Sequence, residues 1–165
     1  MFSCGDPDLD EFYTSDSIEG GKQLLAVTYT FLDDERDDVL AFFAVSNDSI
    51  KKEDVPRSAF KRAAKFISRE KRYSSLPAAK IGRLGVISGG QRNGIGTAVL
   101  DFMKTWFTHG NKTGCRFLLV DSYNNNQAIA FYKRNGFSFL TEPNADDATR
   151  IMYSDLITFR NSVEV

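Results

Sequence analysis

Gln91-Arg92-Asn93-Gly94-Ile95-Gly96-Thr97 lies between a run with strand character and a run with helical period. Before it, residues 81–87 (IGRLGVI) read as the third strand of the chain and give way to Ser88, Gly89 and Gly90. After it, Ile95, Ala98, Val99, Phe102, Met103 and Trp106 recur at steps of three and four, which predicts a helix with one apolar stripe that Gly110 closes. Glycines without Cβ atoms let successive amide N–H groups converge on one concavity, and a ligand can approach that backbone closely. Those amides are also the unpaired first donors of the helix, so its positive end adds attraction for an anion such as a pyrophosphate. Arg92 supplies a charged donor. The same order of elements also joins α/β units that bind nothing. It is not a P-loop, since no Gly-Lys-Ser/Thr follows. Nor is it a GxGxxG dinucleotide turn, since Val99 stands at the third glycine position.

Upstream of the turn, residues 24–31 (LLAVTYTF) and 39–45 (VLAFFAV) flank the polar run 33–38 and predict an antiparallel hairpin. A short helix is expected within residues 7–17, where acids precede apolar side chains. Residues 58–72 set Ala59, Phe60, Ala63, Phe66 and Ile67 at helical spacing, with basic residues on the other face. Downstream, residues 116–120 (RFLLV) predict a strand covered on both faces. Residues 125–135 predict a second helix, with asparagine available as its cap and Gly136 just past its end. Residues 137–141 and 150–159 predict two closing strands around a polar loop. The order helix, hairpin, helix, strand, helix, strand, helix, hairpin implies a mixed α/β (α+β) sheet with helices on its faces.

The chain has 165 residues with 42% hydrophobic content, which suits a single domain with one substantial core. No apolar run approaches the roughly 18 residues that span a bilayer, and no basic segment precedes an apolar one at the N-terminus, so a cytoplasmic location without membrane contact is expected. Cys4, Cys115 and the single His109 do not form a usual zinc set, and no metal is expected. Charge is unevenly spread. Residues 1–40 hold eleven acids and two bases, whereas residues 51–72 hold nine bases (Lys51, Lys52, Arg57, Lys61, Arg62, Lys65, Arg69, Lys71, Arg72) and three acids. The second segment reads either as a solvated helix face or as a patch that meets phosphates.

The turn resembles the Q/R-x-x-G-x-G/A signature of the GNAT (GCN5-related N-acetyltransferase) superfamily, with Gln91, Gly94 and Gly96 in its three defining positions. A second motif of that family, N-x-x-A-x-x-F/Y-Y-x-x-x-G-F, is matched by Asn125, Ala128, Phe131, Tyr132, Gly136 and Phe137. The two motifs stand in the family's order, and the resemblance runs from about residue 77 to 140. It implies a mostly antiparallel sheet with two central parallel strands that splay apart, and acetyl-CoA as co-substrate. The backbone of Gln91, Arg92, Asn93, Gly94, Ile95, Gly96 and Thr97 would then hold the coenzyme A pyrophosphate. Leu84, Gly85 and Val86 would bond the pantetheine arm and polarise the thioester carbonyl toward a tetrahedral oxyanion.

Tyr132 is, by the same resemblance, the general acid that meets the departing sulfur, a role open to a phenol because its pKa near 10 keeps it protonated at neutral pH. The alternative is packing beside Ala128 and Phe131. Asn125 would touch the cofactor arm or, alternatively, cap its helix. No general base is evident: the third strand offers only Lys80 and Arg83, with a water relay to Asp121 as the remaining route. His109 lies about 20 Å along the helix from the turn at 1.5 Å per residue, and Phe102 and Trp106 read as core. The resemblance implies direct attack by a primary amine in a ternary complex, the acceptor being a small molecule, a protein amine or an aminoacyl-tRNA, and it admits a homodimer. Phe2-Ser3-Cys4-Gly5 with Leu9-Asp10-Glu11-Phe12, and Leu84-Gly85-Val86 after Gly82-Arg83, look like a GNAT subgroup that includes tRNA-acetylating toxins. The acidic first quarter and the pI near 5.9 run against a nucleic-acid partner, while the basic segment 51–72 answers them. A domain that binds acyl-CoA without turnover is the competing reading.

Overall fold

A computed structural model describes residues 2–111, 113–142 and 146–163. Its elements are α1 (Pro7–Glu11), a π-helical turn (Phe12–Asp16), α2 (Ser17–Lys22), β1 (Val27–Leu32), β2 (Val39–Lys51), α3 (Arg57–Ala63), β3 (Ser75–Val86), α4 (Ile95–Thr108), β4 (Phe117–Tyr123), α5 (Asn126–Arg134), β5 (Ser138–Phe139), β6 (Thr149–Asp155) and α6 (Leu156–Val163). The strands form one six-stranded, mostly antiparallel sheet in the order β1-β2-β3-β4-β6-β5, with one parallel neighbour pair. The mixed architecture expected from the order of elements is therefore present.

The chain divides into two compact units, residues 1–46 with 81–103, and residues 47–80 with 104–165. In the first, β1 and β2 pair antiparallel around a turn in which Asp33 N–H donates to Asp38 O at 2.8 Å and the Asp33 carboxylate accepts from Glu35 N at 2.9 Å. Ala41 to Val45 are all buried, as a strand covered on both faces requires. Phe43 stacks on Tyr29 at 5.1 Å and Phe42 on Tyr13 at 4.8 Å. Phe2, Cys4 and Phe42 make a small core against Leu9, Phe12, Tyr13, Val39 and Ile87. Phe102, expected in the core, is 45% exposed and meets Phe31 edge-on at 5.2 Å.

In the second unit, Ile50, Phe60, Ala63, Ala64, Leu76, Ala78, Phe117, Leu119 and Leu140 form the core. The helix expected over residues 58–72 is shorter. After α3 the chain tightens into a 3₁₀ turn (Ala64–Phe66), Ile67 becomes extended, and Arg69 takes φ +57° before a second 3₁₀ turn (Glu70–Arg72). The strand expected to reach residue 159 also stops early. Asp155 accepts from Ile157 N at 3.1 Å, and its carbonyl accepts from Thr158 Oγ1 at 2.6 Å, so the last residues wind into α6.

Candidate active site

The expected site residues fall in both units: Leu84–Val86 and Gln91–Thr97 in the first, Asn125 and Tyr132 in the second. At the turn, Gly90 N–H closes on Ile87 O at 2.8 Å and Gln91 leaves in extended conformation. Arg92 then takes φ +64° and Gly94 φ +85°. A Cβ on Gly94 would meet no atom within 4 Å, so its glycine answers to the backbone angle and not to crowding. The first helical hydrogen bond of α4 is Ala98 N–H to Gly94 O at 2.9 Å. By helix geometry the amides of Gly94, Ile95, Gly96 and Thr97 have no partner within α4. The residues from Gln91 to Gly94, with Thr97, are solvent-exposed, so the turn presents a bare helix N-terminus to solvent.

Next to the turn, Gly85 is held to glycine by packing. A Cβ there would lie 2.5 Å from Phe42 Cε1. Val86 O accepts from Gln91 Nε2 at 3.2 Å, and the same nitrogen donates to Cys4 O at 2.6 Å. Ser88 N and Oγ both donate to Ser3 O, at 3.0 and 2.9 Å. Neither the support that Phe42 gives beneath Gly85 nor the engagement of residues 2–4 was expected from the sequence. The partners stand more than 40 residues apart in the chain, and no local pattern announces them. Burial pushes the Cys4 thiol up to about 11, so it stays a protonated packing group at neutral pH.

In the second unit the helix carrying Tyr132 is closed at both ends. Asn125 Oδ1 accepts from Ala128 N at 2.8 Å as a side-chain N-cap. At the other end Phe137 N–H bonds Tyr132 O at 3.0 Å and Gly136 N–H bonds Lys133 O at 3.1 Å, with Gly136 at φ +78°: a Schellman motif. The Lys104 ammonium donates to the Asn135 carbonyl and lies over the Phe137 ring at 5.7 Å, which adds a cation to the closure. These bonds fix the backbone of Tyr132 within one turn of its helix. Its ring is buried edge-on to Phe131 at 5.1 Å and Phe137 at 5.3 Å. Desolvation holds the phenol well above its ordinary pKa, so it is neutral and a hydrogen-bond donor.

Lys80 pairs with Asp121 at 2.6 Å, so the carboxylate at the end of the expected water relay is engaged by a cation. Arg83 lies over Phe12 at 5.3 Å. His109 begins the 3₁₀ turn after α4, where Gly110 takes φ +71°. Among the described residues, no helix is long and apolar enough to cross a membrane.

A family profile described as an acetyltransferase (GNAT) domain matches residues 59–139, a span that contains the turn and the whole of the second motif. No curated protein matches the chain in sequence. Among solved structures, a mutant of KacT is similar with TM-score 0.78 at 20% identity, over 98% of this chain and 89% of that one. AtaT complexed with acetyl-methionyl-tRNAfMet gives 0.75 at 21% identity over 98% and 89%. AtaTR bound with AcCoA gives 0.74 at 19% identity over 98% and 88%. At these identities the likeness speaks for the fold, and the profile carries the family. Residues 59–139 thus match a GNAT acetyltransferase domain by sequence profile and carry both motifs, and the chain as a whole shares the fold of the solved structures above.

Proposed function

We propose that the whole chain acts as one acetyltransferase domain that passes the acetyl group of acetyl-CoA to the α-amine of an aminoacyl-tRNA. The observation that carries the cofactor half is the exposed turn at Gln91–Thr97, where Gly94 at φ +85° opens a helix whose first amides have no internal partner. In this reading those amides hold the pyrophosphate, Arg92 adds charge, and the backbone of Leu84, Gly85 and Val86 receives the pantetheine arm. The amine lone pair attacks the thioester carbonyl carbon and a C–N bond forms, the C–S bond breaks with its electron pair on sulfur, and the proton shed by the nitrogen passes to solvent water, from which the thiolate is protonated. Tyr132 donates a hydrogen bond to that sulfur. A phenol is already a weaker acid than a thiol, which titrates near 8.5, and burial widens the gap, so its main contribution is to stabilise the thiolate rather than to surrender the proton outright.

The acceptor half rests on charge and on neighbours. All nine bases of residues 51–72 are exposed, and so are Phe66 within the segment and Tyr73 just after it, a combination suited to phosphates and unstacked bases. The similar structures include a complex with acetyl-methionyl-tRNAfMet over 98% of this chain. The test follows thiol release from acetyl-CoA with aminoacyl-tRNAs, peptides and small amines as acceptors. Release that requires aminoacyl-tRNA and weakens steeply with salt is expected. Equal rates with peptides or small amines would remove the tRNA, and acetyl-CoA binding without release under any condition would leave a sensor domain.

A further inference from the structure

We infer that residues 2–5 form a strap that positions the cofactor turn, with Gln91 as the positioning residue that ties the strap to it. The inference rests on the reading of residues 91–97 as the cofactor site. The need for a strap comes from the turn itself. Arg92 stands in the left-handed region at φ +64°, which disfavours a non-glycine residue and persists only where the surroundings hold it. Two consecutive carbonyls of the N-terminal segment do the holding. Ser3 O accepts from Ser88 N and Oγ on one side of Gly89 and Gly90, and Cys4 O accepts from Gln91 Nε2 on the other. Gln91 extends the tie to Val86 O at 3.2 Å, so one carboxamide joins the strap, the end of β3 and the turn.

The strap is itself anchored at its far side. Asp10 on α1 accepts from Cys4 N at 2.8 Å and from Ser3 Oγ at 2.7 Å. Phe2 and Cys4 are buried beside Phe42, the ring whose edge excludes any side chain at Gly85. The same few residues thus brace both stretches expected to meet acetyl-CoA, and they do so without lining the turn. Loosening them should change how well the cofactor is held and leave the chemical step alone.

Three substitutions in the full chain test this. Gln91→Glu replaces the Nε2 donor with an oxygen that faces two carbonyls. Gln91→Arg keeps N–H donors at the same place. Asp10→Ala releases the strap from its other side. The expected result is a KM for acetyl-CoA raised about tenfold by Gln91→Glu, equivalent to about 1.4 kcal/mol, and about fivefold by Asp10→Ala, with kcat and the acceptor KM unchanged. Gln91→Arg should stay within about threefold of the parent. The double variant should be no worse than Gln91→Glu alone, because both changes release one device. Multiplied effects, an unaltered KM, a fall in kcat, or a Gln91→Arg as damaged as Gln91→Glu would each overturn the strap. If Gln91→Glu does not fold, Asp10→Ala and Gln91→Arg decide the matter by the same KM and kcat readings. A parent chain that binds no acetyl-CoA would instead overturn the reading of the turn, an outcome distinct from a parent that binds with variants that match it.

Discussion

The turn at residues 91–97 and the start of α5 are both strand-to-helix connections, yet they treat the helix N-terminus in opposite ways. At α5 the chain spends its own side chain on the free donors: Asn125 Oδ1 takes the Ala128 amide, and the Schellman closure satisfies the far end. At α4 the residue before the first turn is Gly94, which has no side chain to offer, and the first amides have no partner within the helix. The contrast separates a helix end capped by its own chain from one that its own side chains leave open, as the proposed cofactor site requires. It also settles what Asn125 does for the fold: whatever else it touches, its carboxamide oxygen is committed to the cap.

The strongest challenge to that contrast is to give Gly94 a charged side chain. Gly94→Asp places a carboxylate where a diphosphate is expected and asks an L-residue to hold φ +85°. Like charges a few ångströms apart near a surface repel by up to about 4 kcal/mol, so calorimetry should show acetyl-CoA affinity falling by about two orders of magnitude or more. Gly94→Asn, a residue that tolerates left-handed angles, is the neutral control and should lose far less. Equal losses would mean that backbone strain and not anion repulsion governs the turn. Next in size is Tyr132→Phe. Removing one donor to the departing sulfur should lower kcat about 100-fold while acetyl-CoA affinity stays within twofold. Unchanged turnover would reduce Tyr132 to a ring packed between Phe131 and Phe137.

The two regions also differ in how much of them the sequence reveals. The ends of α5 were legible because their signals are local: Asn125 and Gly136 lie one residue outside the helix and one past its C-cap, and each bonds within a few residues of itself. The glycine turn was legible for the same reason. Its bracing was not, because Gln91 and Cys4 are 87 residues apart and nothing in either neighbourhood codes for the other. Gly85 was read as a place where backbone meets ligand, whereas the packing shows a second demand, the ring of Phe42 in the space that a Cβ would take. Two of the misjudged lengths have physical causes of the same kind. A helical spacing over residues 58–72 did not survive the extended angles at Ile67 and the left-handed Arg69, and an apolar run after Asp155 became helix once that carboxylate took the Ile157 amide.

Asn125→Ala probes the structural end of the comparison. Loss of a side-chain cap costs about 1 kcal/mol, which for a chain of this size lowers the melting temperature by roughly 2–4 °C. Acetyl-CoA affinity should hold within twofold, in contrast to the Gly94 variants. A large loss of affinity with an unaltered melting temperature would move Asn125 from the fold to the cofactor.

The smallest effect expected is a pH dependence confined to the turn's side of the molecule. The backbone amide of Cys4, and then the Ser3 hydroxyl, hold the Asp10 carboxyl below its ordinary value of 3.8. A folded-state pKa below the unfolded one means that the carboxylate stabilises the fold above about 3.8, and that this stabilisation disappears as pH falls through the lower, folded value. Asp10→Asn removes the titration. Melting curves of parent and variant should therefore differ by a constant gap from pH 7 down to about 4 and converge below it, and amide exchange at Cys4 and Ser88 should accelerate in that acid range while the α5 amides keep their protection. A gap that persists at pH 2, or acid loss of protection shared equally by α5, would show that the Asp10 charge does not distinguish the two regions.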